Sequence, residues 1–275
     1  MSLFLYLDTD SGLALLRDAR LAFQTVEQLQ DPFLSNRAVS AAPSRRQVSQ
    51  QEIEAELARQ YQALPPHLAE LVSFDYFREQ AQGRRAELES AVLARDQRPM
   101  ADTLSAGQQQ ALALLRLFSS LTNPVLWERF GGQHRGVAIE LDPQNEAMRA
   151  PLYESKPQML QAVNYADERP AQATGRFVSL FQRPRGFMAE GEWRLVRPRS
   201  VADKEVERQG QQWCLYKTTP RLLRRLVFGC QVADEQRQRI LTLIEHDQRY
   251  RHLKVQACEI DPYRYELHLR DLPLP

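Results

Sequence analysis

A chain of 275 residues with 43% hydrophobic and 26% charged residues has the bulk and balance of an ordinary soluble globular protein. Its formal net charge of +1 supplies no global pull toward nucleic acid or anionic lipid, so neither is expected as a partner. No run approaches the roughly 18 apolar residues that cross a bilayer, and Met1–Asp8 lacks the length and charge of a signal peptide. Cys214, Cys230 and Cys258 are odd in number and widely spaced, which argues against a disulfide framework or a zinc site and points to a reducing cytoplasm. The basic residues are nearly all arginine, with only Lys156, Lys204, Lys217 and Lys254 as lysines. A GC-rich coding bias explains that preference, and bidentate phosphate contacts are the alternative.

In chain order, Leu3–Leu7 reads as a buried strand, Ser11 as the cap of a helix to about Arg17, and Arg20–Gln24 as a second strand. Residues 35–47 are small, polar and basic and read as a loop. Ser49-x-x-Glu52 is a capping box that opens a helix to about Ala63. Pro65-Pro66 breaks it, and a second helical stretch covers about His67 to Ala94. Residues 48–97 therefore read as a helical insertion in one domain spanning 1–275. Ile53, Leu57, Tyr61 and Leu64 give it an apolar face at helical spacing. That face either packs on its own domain or docks a protein partner. Residues 96–107 read as a hinge, and Ala111–Phe118 has helix-forming composition.

Asn123-Pro124 supplies an N-cap and a first-turn proline, and a short amphipathic turn then runs through Trp127 to Phe130. Gly131 and Gly132 hinge into His134 and Arg135, and Gly136 releases a strand to Leu141. Further strands are expected at about 160–165, 192–197, 224–229 and 254–259, with an edge strand at 264–269 and a helix from Asp234 to about Glu245. This is an α+β pattern, a mixed central sheet with flanking helices.

Glu190, Glu192 and Arg194 alternate, so in a strand they share one face with Met188, opposite Trp193 and Leu195. One reading is an exposed charge ladder; the other is a carboxylate pair held in a cleft for acid/base work. His134 is either a structural imidazole or a pocket residue that contacts phosphate or acts as a general acid. Trp127 is either core or a ring platform, and Arg135 either a solvated cation or a phosphate contact. Gly-x-Gly-x-x-Gly, Walker and Gly-x-Ser-x-Gly motifs are missing, and His67, His246, His252 and His268 lack metal-ligand spacing. No metal is expected.

Five segments together resemble a bacterial domain-of-unknown-function family, number 2971. Trp127, Phe130, His134, Gly136 and Asp142 match its Trp-x-x-(Tyr/Phe)…His-x-Gly…Asp pattern. Gln30-Asp31-Pro32-Phe33 is similar to Asn-Asp-Pro-Phe, and Val163-Asn164-Tyr165 with Glu168-Arg169-Pro170 to a Val-x-Tyr turn. Glu190-Gly191-Glu192-Trp193-Arg194-Leu195-Val196 and Leu226-Val227-Phe228-Gly229-Cys230 match two strand motifs. The resemblance runs from about residue 3 to about residue 245. It implies a buried strand ending at the Phe118-Ser119 step, and that reading is taken over the helical composition. It singles out Asp31, otherwise a plain turn former. It also marks a departure: Leu7 stands where the family carries a basic residue.

The layout of an aromatic-bearing first strand, a helix, a second strand and a late glutamate strand is similar to ADP-ribosyltransferases, by fold-level analogy. It implies an NAD-using glycosyl (ADP-ribosyl) transferase with Glu192 and Glu190 as carboxylates and His134 beside them. Trp127, Arg135, Arg194, Tyr6 and Asp31 then bind the small-molecule nucleotide, with Tyr6 or Trp127 on the nicotinamide ring. The alternative is a non-catalytic binding or regulatory module in a phage-defence or mobile-element setting. A magnesium-dependent nucleic-acid enzyme built on Asp31, Glu190 and Glu192 is the weakest reading, given the neutral net charge.

Overall fold

The computed structural model describes residues 2–29, 31, 33–34, 47–64, 72–96, 104, 106–149, 160–167, 177–208 and 210–273. Residues 35–46 of the loop expected at 35–47, the Pro65-Pro66 break with His67, most of the 96–107 hinge and the Glu168-Arg169-Pro170 turn lie outside these. The chain divides into two compact units, one of Met1–Ser35, Leu104–Glu168 and Phe177–Pro275, the other of Asn36–Thr103 with Arg169–Arg176.

The larger unit is built on an 11-stranded mixed sheet. Its strands are β1 (Leu3–Leu7), β2 (Arg20–Thr25), β3 (Leu112–Phe118), β4 (Val137–Leu141), β5 (Leu160–Ala162), β8 (Glu192–Pro198), β9 (Lys204–Arg208), β10 (Gln211–Lys217), β11 (Leu223–Phe228), β12 (Lys254–Ile260) and β13 (Leu267–Asp271). The main path runs β13-β12-β11-β4-β1-β3-β2-β10-β9, with β8 on β3 and β5 on β8. A separate parallel pair joins β6 (Asn164–Ala166) to β7 (Gln182–Pro184). The α+β class read from the sequence is the one observed. The β9–β10 hairpin has no counterpart among the expected strands, because Gln, Glu and Lys residues along it hide the alternation.

After a short helix, α5 (Ala106–Ala111), Leu112–Phe118 settles as strand β3 despite the helix-forming composition of Ala111–Phe118. Burial against strands outweighs intrinsic preference there. One face of the sheet packs Leu3, Leu5, Leu21 and Phe23 with Leu15 and Leu16 of α1 (Thr9–Asp18) and with Ile240 and Ile244 of the long helix Asp234–His246. The opposite face gathers Phe4, Tyr6, Phe118, Leu126 and Trp127. Asp8, not Ser11, caps α1: its Oδ1 accepts from the Ser11 amide at 2.7 Å.

The sheet forks at β3. One edge pairs with β8 along all seven residues. The other edge is divided: Phe118 pairs with Phe4 of β1, while Leu114 and Ala113 pair with Gln24 and Thr25 of β2. Both β1 and β2 run antiparallel to β3, so they are parallel to one another and joined by α1. They splay apart over residues 115–117, and the C-terminal half of β1 and the N-terminal half of β2 contribute to a cleft of about 930 Å³, lined among others by Tyr6, Leu7, Arg20, Arg129, Phe130 and Trp213.

The smaller unit holds α2 (Gln50–Gln62), α3 (Phe74–Ala81) and α4 (Arg85–Asp96). The Ser49/Glu52 capping box is fully formed. Ile53 and Leu57 pack on Leu88, and the Tyr61 ring lies 5.3 Å from Phe74 and 5.8 Å from Phe77. The apolar stripe of α2 is thus consumed inside its own helical unit.

Backbone crowding explains two glycines of the His134 segment. A Cβ on Gly136 would lie 2.1 Å from the Leu7 carbonyl, and one on Gly229 would lie 2.2 Å from the His134 carbonyl. Gly136→Ala is expected to lower unfolding stability by about 2–4 kcal/mol in denaturant titration, since backbone must shift. Gly186→Ala, with nothing within 4 Å, is expected to stay within about 0.5 kcal/mol of the parent.

Candidate functional site

The Glu-x-Glu segment does not form a continuous strand. Glu190 closes a 3-10 turn, Gly191 is left-handed with φ 57°, and β8 begins at Glu192. A side chain at 191 would strike Ser119 Oγ at 2.4 Å, so glycine lets the turn press against the end of β3. The turn, rather than strand alternation, brings Glu190 and Glu192 together. Met188 is 60% exposed and leaves their face. The exposed charge ladder is also corrected. Strand β8 is paired on both edges, and Glu192 and Arg194 are fully buried.

Four guanidinium groups and three carboxylates converge here. Arg183 Nη1 donates to Glu190 Oε2 at 2.6 Å and to Glu192 Oε2 at 2.7 Å. Arg194 Nε donates to Glu192 Oε1 at 2.8 Å, and its Nη1 to the Leu180 carbonyl at 2.7 Å. Arg116 Nε stands 3.4 Å from Glu192 Oε1. Arg129 Nη1 is ion-paired with Glu190 Oε1. Asp31 Oδ2 lies 3.7 Å from Arg183 Nε and 3.6 Å from Arg194 Nη2. The Glu192 amide donates to the Tyr165 hydroxyl at 2.8 Å, and the β6–β7 pair sets Tyr165 beside Arg183. Phe187 lies under the Arg183 guanidinium at 3.9 Å and also faces Arg129 at 5.5 Å.

Burial by itself would raise the Glu192 carboxyl. The charge and hydrogen bond of Arg194, with Arg116 and Arg183, overcome burial and hold it below the ordinary carboxylate range. Burial pulls Arg183 down, but Glu192 and Glu190 more than offset it and raise the guanidinium. For Arg116 burial prevails and lowers it. The assembly leaves one positive charge in excess. Arg116 Nε, Arg183 Nε and Asp31 Oδ2 are buried without a hydrogen-bond partner. The two unmet guanidinium N–H groups are donors, which suit an anionic group better than another cation; Asp31 Oδ2 is an acceptor and does not.

The cluster meets the cleft at Arg129 and Phe130. Both line the cleft, Arg129 Cζ is 5.3 Å from the Phe130 ring, and Arg116 Cζ is 5.9 Å from it. Of the residues expected at a site, Glu192, Glu190, Arg194 and Asp31 come together. Arg194 is fully buried, so it positions Glu192 and does not reach a ligand. Asp31, Glu190 and Glu192 converge on guanidinium groups, and among the described residues no three potential ligands are grouped to hold a metal.

The remaining candidates fall elsewhere. The Trp127 and Tyr6 rings are buried edge-to-face at 4.9 Å, with Trp127 Nε1 on the Leu121 carbonyl and Tyr6 Oη on the Ser120 carbonyl. Core packing therefore replaces the ring-platform role expected of Trp127. Tyr6 contributes to the cleft wall, but its ring is pinned. His134 does not join the glutamates: it lines a different groove of about 490 Å³, with Nδ1 3.7 Å from Cys230 Sγ. Arg135 is exposed on the same turn, away from the cluster.

Arg116, Arg129, Arg183 and Phe187 escaped the sequence reading. Arg116 left a signal, a lone charge inside the apolar run Leu112–Phe118. Nothing local marks Arg129 or Arg183, because long-range register alone brings them to Glu190. The chain matches no family model, no curated protein and no solved structure.

The depressed Glu192 carboxyl has a consequence for acid stability. Its stabilisation is fully present above the unfolded value of about 4.3 and is lost as pH falls through the lower folded value. In acid unfolding below about pH 4.3, Glu192→Gln is expected to show a shallower loss of stability than the parent. Parallel acid profiles of the two proteins would overturn the assignment.

Proposed function

We propose that this chain is an NAD-using glycosyl (ADP-ribosyl) transferase in which the forked cleft receives the dinucleotide and Glu192 is the working carboxylate. The observation that carries this reading is the junction at Arg129 and Phe130, which joins the cleft to a carboxylate cluster holding one excess positive charge. The cleft's volume of about 930 Å³ is within the range of small-molecule sites, and Arg20 and Arg129 supply cations on its walls. A dinucleotide carries a pyrophosphate for guanidinium groups and a ring that an aromatic face accepts. The resemblance to the 2971 family, resting on motifs alone, agrees with this layout.

Bound NAD supplies a glycosidic bond whose cleavage builds oxocarbenium-like charge. The chain's part is electrostatic. Glu192 is ionised across the neutral range and can stabilise such a cation. Saturation by arginines makes it a poor proton donor, so general acid work is not assigned to it. Phe130, half-buried on the cleft wall beside Arg129, takes over the ring-holding role first given to Tyr6 and Trp127.

A second reading, a non-catalytic nucleotide-binding module, is favoured by one observation: the Glu192 side chain is 0% exposed and meets three arginines. The transferase reading requires that cover to open when ligand arrives; the module reading does not.

Purified protein incubated with NAD is expected to release nicotinamide, followed by chromatography. Glu192→Gln is expected to reduce release by at least about a hundredfold while still binding ADP-ribose. Binding of ADP-ribose without release by either protein would leave the module. Release undiminished by Glu192→Gln would remove Glu192 from the site.

A further inference from the structure

Arg129 differs from the other arginines of the cluster. Arg183 and Arg194 are almost completely buried, with side chains 5% and 0% exposed, whereas that of Arg129 is 41% exposed. It lies on α6 (Pro124–Arg129), lines the cleft, and reaches inward to ion-pair with Glu190 Oε1. The other oxygen of Glu190, Oε2, is held by Arg183 Nη1 at 2.6 Å, and the same Nη1 serves Glu192. Two carboxylates thus share one buried arginine, and Glu190 alone reaches out to the cleft-lining one. The guanidinium of Arg129 sits between Phe130 and Phe187, at 5.3 and 5.5 Å from their centroids.

We infer that Glu190 is an internal competitor that occupies Arg129 until a nucleotide diphosphate enters the cleft and takes that guanidinium. The inference rests on the cleft reading above and adds its regulation. A carboxylate and a diphosphate both bind a guanidinium through paired N–H donors, so the same fork cannot serve both in full. Glu190 keeps Arg183 when Arg129 leaves, so the exchange strands no carboxylate without a partner. Ligand affinity is therefore reduced by the work of withdrawing Arg129 from Glu190, which is a coupling between two groups of one site.

The test uses inorganic pyrophosphate and titration calorimetry on the full chain. Glu190→Gln is expected to tighten pyrophosphate about three- to tenfold, because the competitor loses its charge. Arg129→Gln is expected to weaken it by about tenfold or more. In the double variant the gain from Glu190→Gln is expected to vanish, since the two residues act through one another. Glu190→Asp, one methylene shorter, keeps a charge beside Arg183 but slackens the hold on Arg129. It is expected to shift affinity the same way and decides the matter if Glu190→Gln fails to fold. Unchanged or weakened binding by folded Glu190 variants overturns the inference, as does an undiminished gain in the double variant. Failure of pyrophosphate to bind any variant overturns it too. Glutamate-dependent nicotinamide release alongside such a failure would leave the transferase reading standing. Coupling without any release would retain the competitor and reject the transferase.

Discussion

Everything at the candidate site depends on how one edge of β3 is shared. Strands β1 and β2 are both antiparallel to β3, and α1 carries the chain between them. A single edge cannot pair with both along its length. Each strand takes one end, and the sheet opens over residues 115–117. On the opposite edge of the same strand, β8 pairs residue for residue and sets Glu192 across from Phe118. The fork therefore does two things at once. It opens the sheet between β1 and β2, and it fixes a carboxylate-bearing strand along the opposite edge of β3.

The charges gathered there are costly, since each buried ion loses several kcal/mol of hydration before its partners are counted. Pairing offsets that loss only where hydrogen bonds are well made, and two donors of this cluster, Arg116 Nε and Arg183 Nε, are not met. The deepest members, Arg194 and Glu192, are the best satisfied. The least satisfied atoms belong to Arg116, Arg183 and Asp31, which ring them. Arg129 and Glu190, at the cleft end of the cluster, are paired with each other, so the unmet atoms lie inside the cluster and not on the cleft wall.

Much of this was legible in the sequence. The first strand, helix and second strand, the capping box at Ser49, the cap at Asn123 and the strands at 137–141, 192–198 and 223–228 follow from local pattern. So does the pair Glu190 and Glu192, though for the wrong reason: alternation in a strand was expected, and a left-handed glycine turn brings them together. What local pattern cannot carry is partnership across the chain. Arg183 meets Glu192 because β6 and β7 pair in parallel, and Arg129 meets Glu190 from a helix 61 residues away. Neither has a sequence-neighbourhood signature. His134 shows the opposite failure. It stands in the most distinctive motif, yet its conformation serves the turn: φ is 66°, its amide donates to Trp127, and its carbonyl accepts from Gln231.

The place of Leu7 now looks different. By the resemblance drawn from the sequence, a basic residue is expected at the end of the first strand, where Leu7 stands. Leu7 and Arg129 line the same cleft, one from the end of β1 and the other from the end of α6. A cation delivered from the helix can serve an anion in that cleft as well as one delivered from the strand. It arrives, however, with a competitor that a strand-borne arginine facing the cleft would not have. Under the proposed reading, anion recognition through Arg129 is conditional on breaking its contact with Glu190, so the cation of this cleft is a gated one and Leu7 at the end of β1 is compatible with a working site.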